Sequence, residues 1–231
     1  PCASHSNEIC IAPHVCARGL CDPICGRAHS GQTTPEIPNA LFPFIAALCT
    51  AATTAVASPE FWVHEWSDTN FEKTNVASWV EILSGGPPKD GIPALDAPTF
   101  HTVAQEGLLT PREPVITVEI EGETPRAYLI RHLTWHEILN DTIGDIPVAV
   151  TFCLLCNSGI TFDRRVDMKV LSFGVSSKLR NSDMIMYNRE TQSWWQQAIG
   201  TGIVGYHTDT ELATLPSWME SWDKFVARNP D

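Results

Sequence analysis

The sequence predicts an α+β fold, built from a mainly antiparallel β-sheet with a few short helices and a C-terminal amphipathic helix. Two observations lead to this prediction. Short β-rich segments separated by turn residues recur between Val115 and Tyr187, which is the pattern of antiparallel pairing. Near the C-terminus, Trp218, Trp222 and Phe225 recur at helical spacing, which predicts a helix over Ser217–Asn229 with one apolar face.

The first elements predicted from the sequence are helical. Apolar residues recur through Phe71–Leu83, and Gly85–Pro88 ends any helix that forms there. Pro98 is placed to open a short helix that reaches Gln105, because proline is favoured at the first helical position.

The middle of the chain predicts a hairpin, a helix and then a series of strands. Val115–Ile120 alternates and is β-branched, and Arg126–Ile130 returns after a glycine-containing turn. Helical spacing follows in His132–Asn140. The predicted strands are Pro147–Phe152, Gly159–Phe162, Val170–Phe173 and Met184–Tyr187, and a strand through Trp194-Trp195 would turn one indole inward and one outward.

The N-terminal part of the chain has the composition of an export signal. Ala40–Ala57 is apolar and rich in small residues, and it ends in Ala55-Val56-Ala57, the form of a signal-peptide core with its cleavage site. Ser58 is then the expected start of the mature protein. We therefore expect one α+β domain over residues 58–231 and a periplasmic or extracellular location. Pro43 interrupts the apolar run, so no stable membrane span is expected after signal removal.

Residues 1–39 are interpreted separately, because five of the eight cysteines lie there. The segment lacks periodicity, so it is either outside the native protein or poorly ordered. The alternative is a small disulfide-rich or metal-binding module. The odd number of cysteines excludes a complete set of disulfides within it.

The charge of the chain limits its partners. The formal net charge is −12, and no cluster of Lys and Arg is present, so nucleic-acid binding is not expected. Small molecules or metal ions are the predicted partners, and the oligomeric state is left open.

The main candidate for chemistry is the segment Thr151–Arg164, in which Cys153 and Cys156 lie between two strand-like runs. Two thiols at this spacing can chelate a thiophilic metal, or they can close into a structural or redox-active disulfide. His132 and His136 project from one face of the predicted helix. Two thiolates and an imidazole are donors that suit copper or zinc, so His136 is a predicted ligand and His132 a further one.

Polar residues near these ligands are candidates for supporting roles. Glu137, Asp141 and Asp163 are predicted acid/base groups or partners that orient the ligands, although Asp141 could equally cap a turn. A second set is predicted to line the mouth of the site and bind substrate, and it consists of Arg164, Asn181, Ser182 and Tyr187.

The order of motifs resembles a prokaryotic family catalogued as domain of unknown function 3179. The resemblance runs from Phe71 to Asp231, and it implies an exported location and a shared pattern without an assigned activity. Leu154 departs from the pattern, since a proline is common between the two cysteines of this family. The motifs that carry the resemblance are Gly85–Ala94, Trp135-His136-Glu137, Asn140-Asp141, Cys153–Asp163, Leu179–Asp183, Met186-Tyr187 and Thr191–Gln197.

The sequence therefore leads to three hypotheses. The first is an exported metal-binding protein whose site of two cysteines and a histidine serves metal handling or redox chemistry. The second is a metal-dependent hydrolase that uses the same ligands to activate water, with Glu137 or Asp141 as base. The third is a non-catalytic binding module in which Cys153 and Cys156 form a structural disulfide.

Overall fold

The fold was obtained as a computed structural model that describes residues 8–11 and 59–230. The signal-like segment 40–57 and the rest of the cysteine-rich segment 1–39 lie outside the described residues, so the predictions for them stay predictions. In the described part, no helix is long and apolar enough to cross a membrane.

Two short α-helices and many strands make up the described chain. The helices are α1 (Ile130–His136) and α2 (Trp222–Arg228). The strands, in chain order, are β1 (Glu8–Ile11), β2 (Ile82–Ser84), β3 (Leu95–Asp96), β4 (Thr99–Thr102), β5 (Pro114–Val118), β6 (Arg126–Leu129), β7 (Ile138–Ile143), β8 (Ile146–Cys153), β9 (Ser158–Asp163), β10 (Arg165–Val166), β11 (Lys169–Val170), β12 (Phe173–Arg180), β13 (Asp183–Asn188), β14 (Trp194–Gln196), β15 (Thr201–Val204), β16 (Thr214–Leu215) and β17 (Ser217–Ser221).

These strands form three five-stranded sheets and a small β10–β11 hairpin. The order is β17-β5-β6-β1-β4 in the first sheet, β15-β14-β13-β12-β2 in the second and β16-β9-β8-β7-β3 in the third. All described pairs are antiparallel except β1 with β6 and β3 with β7. The predicted antiparallel, β-rich architecture with short helices is therefore confirmed.

Two hairpins position the candidate site. In the third sheet, β8 and β9 are joined by the loop of residues 154–157, and Cys153 pairs with Ser158 at its base. In the second sheet, Asn181 and Ser182 join β12 to β13 with φ of 54° and 61°. Positive φ at both central residues is the type I′ geometry, whose twist matches that of the flanking strands.

The second sheet is buried on both faces. Trp194 packs with Trp66 and Ile203, whereas Trp195 packs with Phe173 and other residues in a separate cluster. Both indoles are fully buried. The expectation of one inward and one outward indole is therefore wrong, because both faces of β14 are covered.

Three predicted helices differ from the structure. Phe71–Leu83 contains a short 3-10 turn and then β2. Pro98 to Gln105 forms β4 followed by a 3-10 turn. The helix predicted over His132–Asn140 ends at His136, because β7 begins at Ile138 and pairs with β8.

The helix predicted over Ser217–Asn229 is shorter than its spacing suggested. Ser217–Ser221 is strand β17, which pairs with β5, and only Trp222–Arg228 is helical. The spacing of Trp218 and Trp222 therefore did not reflect a helix face, since cross-strand pairing determined the structure of the first half. Trp222 and Phe225 are buried against Val115 and Leu129.

Candidate metal centre

Three donor side chains converge where the two hairpins meet. The sulfurs of Cys153 and Cys156 and a carboxylate oxygen of Asp183 all lie within 4.8 Å of one another. The cysteines come from the β8–β9 hairpin, and Asp183 is the first residue of β13. Both cysteines are free thiols.

Cys153 is the buried member of the pair, with 2% of its surface exposed. Its thiol donates to the carbonyl oxygen of Ser182 at 3.9 Å. Burial is the larger cause and the hydrogen bond with Cys156 the smaller one, and together they raise the pKa of Cys153 to about 11. Without a cation nearby, this sulfur is therefore held as a neutral thiol at neutral pH.

Cys156 is exposed, and a polar network orients it. Its sulfur lies 3.1 Å from Ser158 Oγ and 3.4 Å from Asp183 Oδ1. The hydroxyl proton of Ser158 is donated to Gln197 Oε1 at 2.9 Å. A hydroxyl has one proton to donate, so Ser158 Oγ cannot also donate to Cys156, and the single thiol proton of Cys156 is donated either to Asp183 Oδ1 or to Ser158 Oγ. Thr151 fixes the amide of Gln197, since its Oγ1 accepts from Gln197 Nε2 at 2.9 Å.

Asp183 is a buried carboxylate with one oxygen directed at the sulfurs. Its Oδ2 accepts hydrogen bonds from Gln196 Nε2 and from the backbone N–H of Ala198. These bonds hold the carboxylate and leave Oδ1 facing Cys156. In the described part of the chain, no ion pair involves Asp183, so its negative charge has no basic partner there.

An open cleft of about 380 Å³ gives access to Cys156 and Asp183. Arg180 and Asn181 lie on one side of it, and Ala198 and Ile199 line it as well. Arg180 is engaged by Glu81 at 2.9 Å. Two of the three donor residues, Cys156 and Asp183, therefore line a cleft that is open to solvent.

The structure brings two predicted mouth residues to this site. Asn181 lines the cleft, and the backbone carbonyl of Ser182 contacts Cys153. Sequence reasoning missed Asp183, Ser158 and the two glutamines as parts of the site. The motif Leu179–Asp183 was visible in the sequence. Only the geometry of the β12–β13 hairpin, however, places the carboxylate of Asp183 beside the cysteines.

The two predicted histidine ligands lie on α1, outside this donor group. His136 Nδ1 lies 2.7 Å from the carbonyl oxygen of Pro93. His132 has a partner of its own. Among the described residues, the groups of metal donors within 4.8 Å of one another do not include either ring.

Other predicted residues lie at the opposite end of the third sheet. Cys153 pairs with Ser158, whereas Val148 pairs with Asp163 and with Asp141. The five steps from Val148 to Cys153 correspond to about 17 Å along a strand. Asp141 and Asp163 therefore lie far from the sulfurs.

Each of these distant groups has local partners. Asp141 accepts from Arg126 at 2.6 Å and from Tyr128 Oη at 2.7 Å. Arg164 follows Asp163 and donates to the backbone carbonyls of Leu171 and Asp141. Burial opposes ionisation of Asp163, but the hydrogen bonds and charge of its neighbour Arg165 lower the pKa of the carboxyl overall.

Tyr187 is also distant from a substrate mouth, because it is a core residue. It is 3% exposed and packs edge-on against Trp66. Burial and its hydrogen bond to Asp90 raise the pKa of its phenol. These contacts indicate that Tyr187 anchors the segment around Asp90.

Glu137 lies at the end of α1 in a strained conformation. Its φ is 58° and its ψ is −36°, a combination that non-glycine residues rarely adopt. Burial raises the pKa of its carboxyl. Glu137 lines a second cleft, together with Leu154 and Leu155 of the cysteine loop.

The fold and site thus define a β-rich domain with a paired-thiol and carboxylate donor site. The family described as protein of unknown function (DUF3179) matches residues 89–231, more than half of the chain. The chain belongs to this family. No curated protein and no solved structure matches the sequence.

Proposed function

We propose that this chain is a metal-binding protein whose ligands are Cys153, Cys156 and Asp183. The observation that carries the proposal is the convergence of two sulfurs and a buried carboxylate oxygen within 4.8 Å. Two thiolates with a carboxylate are a donor set that suits zinc, and the thiolates alone also suit copper(I).

The charges around the site support a cation. A buried carboxylate without a basic partner is costly to maintain, and so is a thiolate in the position of Cys153. A metal ion would stabilise all three groups as anions, and it would displace the thiol protons on binding. The hydrogen bonds from Gln196 and Ala198 to Asp183 are of the kind that orients a metal-bound carboxylate.

Three protein ligands leave a coordination position for another donor. The cleft beside Cys156 would supply water or a cargo molecule to that position. Metal handling fits this arrangement directly. A hydrolytic role would additionally need a base near the open position. Asp141 is too distant along β7 to serve, and Glu137 lines a different cleft from the one that holds Cys156 and Asp183.

A redox function is the second candidate, and the two free thiols favour it. Cys156 is exposed and Cys153 is buried, which suits an attacking thiol and a resolving thiol. Closure of the pair into a disulfide would release two protons and pass two electrons to an oxidant such as a second disulfide. The third hypothesis, a structural disulfide, would require the Cys153–Cys156 bond to stay closed instead of cycling.

The proposal includes export from the cytoplasm, as the small-residue segment 40–57 suggests. An oxidising compartment would favour the disulfide, and bound metal would protect the thiols from that oxidation. Cell fractionation with an antibody to the chain tests the location.

Elemental analysis of purified protein, combined with a thiol count, tests the metal proposal. We expect close to one equivalent of zinc or copper in the wild type and loss of most of it in Cys156→Ser. The variant Asp183→Asn should weaken metal binding by about tenfold or more, since even loss of a residue that only orients a metal ligand typically costs that much affinity. Asp145→Asn, an exposed carboxylate in the β7–β8 turn, is the matched control.

The outcomes separate the two candidates. A metal-free protein with two reactive thiols that cycle with a disulfide reagent would support the redox function instead. Unchanged metal content in Asp183→Asn would exclude the carboxylate as a ligand. His136→Ala should retain its metal, in contrast to the ligand set predicted from sequence.

A further inference from the structure

A second cleft is lined by Leu154 and Leu155, the two residues between the cysteines. This cleft has a volume of about 230 Å³. Its walls are mostly apolar. They include Leu154 and Leu155, Pro87 and Ile92 from the segment between β2 and β3, and Met184 of β13. Leu154 and Leu155 are 44% and 65% exposed, so apolar surface is available to a ligand.

The carboxylate of Glu137 is the polar group that distinguishes this cleft. Within residues 59–230, no hydrogen bond or ion pair is found for it, and burial is the only cause found for its raised pKa. Lys178 also lines the cleft, but its Nζ lies 3.4 Å from Glu65. Its charge is therefore directed at Glu65, and no ion pair to Glu137 is found among the residues that the structure describes.

The backbone holds Glu137 at this position despite the strain. Its N–H donates to the carbonyl of Leu133, and its own carbonyl accepts from Phe152, both at 2.8 Å. A strained residue is energetically costly and is maintained only where the surroundings fix it, often at functional sites. These two bonds fix the backbone of Glu137, whose side chain lines the cleft together with Leu154 and Leu155.

We propose that this cleft binds a small organic ammonium ion, with its apolar part on Leu154 and Leu155 and its charged nitrogen on the carboxylate of Glu137. An apolar ligand over an unpaired carboxylate would bury a charge at a high cost, whereas an ammonium ion neutralises it. The net charge of −12 also attracts cations and repels anions.

The size of the cleft limits the ligand. A closed cavity of roughly 150 Å³ accepts benzene, so a cleft of about 230 Å³ accommodates one ring with a short chain. Phenethylamine, which is protonated at neutral pH, is a suitable probe. Phenethyl alcohol has nearly the same shape without the charge, and phenylacetate carries the opposite charge.

Titration of the purified protein with these three probes, followed by NMR or calorimetry, tests the proposal. We expect phenethylamine to bind at least about tenfold more tightly than phenethyl alcohol, because hydrogen bonds to charged groups contribute about 1.5–3 kcal/mol. Phenylacetate should bind most weakly. Glu137→Gln should remove the preference for the amine but keep the affinity for the alcohol.

Two controls keep the result interpretable. Glu121→Gln removes an exposed carboxylate from the β5–β6 turn and should change nothing. Leu155→Ala retains the charge and should weaken amine and alcohol alike by a similar factor. Equal affinity for amine and alcohol, an unchanged preference in Glu137→Gln, or no binding of any probe would overturn the proposal. The result does not depend on metal at the cysteine site.

Discussion

At the scale of single residues, the two cysteines differ in environment although they are three positions apart. Cys153 is buried and its pKa is raised to about 11, whereas Cys156 is exposed. The thiolate is the reactive form of cysteine. In protein freed of metal, Cys153 should therefore react slowly with alkylating reagents until the pH approaches the raised pKa.

This difference predicts selective labelling. With iodoacetamide at pH 8, Cys156 should be modified first, and the rate at Cys153 should rise by about tenfold per pH unit below its pKa. Peptide mapping by mass spectrometry at several pH values measures both rates. Equal rates at the two positions at pH 8 would contradict the buried environment of Cys153.

The residue scale is also where the sequence was least informative. The spacing of Cys153 and Cys156 was visible and predicted a thiol pair correctly, because a tight turn between two strands brings the sulfurs together. Asp183 was not predicted, since it reaches the sulfurs only through pairing of β12 with β13. His136 remains a predicted ligand from sequence, but its ring contacts Pro93 instead.

At the scale of elements, the type I′ turn between β12 and β13 predicts an effect on stability. Ser182 has a φ of 61°, which glycine adopts without steric cost. Ser182→Gly should raise the free energy of unfolding by about 0.5–1 kcal/mol, measured by urea denaturation. Metal content should stay unchanged, because only the backbone carbonyl of Ser182 contacts Cys153.

A serine in a strand, Ser217, provides the control for Ser182→Gly. Ser217→Gly in β17 introduces glycine where the backbone is extended, so we expect a loss of stability. A Ser182→Gly protein that is less stable than wild type would show that the turn does not have the positive φ described here.

Strands rich in β-branched residues beside a clear turn were predicted well, whereas the spacing of aromatic residues led to a wrong helix. The β5–β6 hairpin follows from its β-branched residues and turn. Ser217–Ser221 was assigned to a helix because Trp218 and Trp222 are four apart, but pairing with β5 made it a strand. Local spacing cannot show whether a neighbouring strand has a free edge to pair with.

At the scale of the whole molecule, close approach between β15 and the loop after it constrains the fold. A Cβ added at Gly202 would lie 2.0 Å from the carbonyl oxygen of His207. Gly202→Ala should therefore lower the free energy of unfolding by about 3 kcal/mol or more, since the overlap is with backbone. Thermal and urea unfolding measure the loss.

Gly107→Ala is the control for this substitution. Apart from its two chain neighbours, no described residue has an atom within 4 Å of a Cβ built at Gly107, and we expect the free energy of unfolding of Gly107→Ala to change by less than about 0.5 kcal/mol. Comparable losses in the two variants would argue against the close approach at Gly202.

The donor set spans two of the sheets, because Cys153 and Cys156 belong to the β8–β9 hairpin and Asp183 to β13. An ion held there would act as an additional cross-link between two layers that are already joined at this end by side-chain packing and by the hydrogen bonds of Gln197 to Thr151 and Ser158. A chelator would then lower the melting temperature of the entire domain, and returning the ion would restore it.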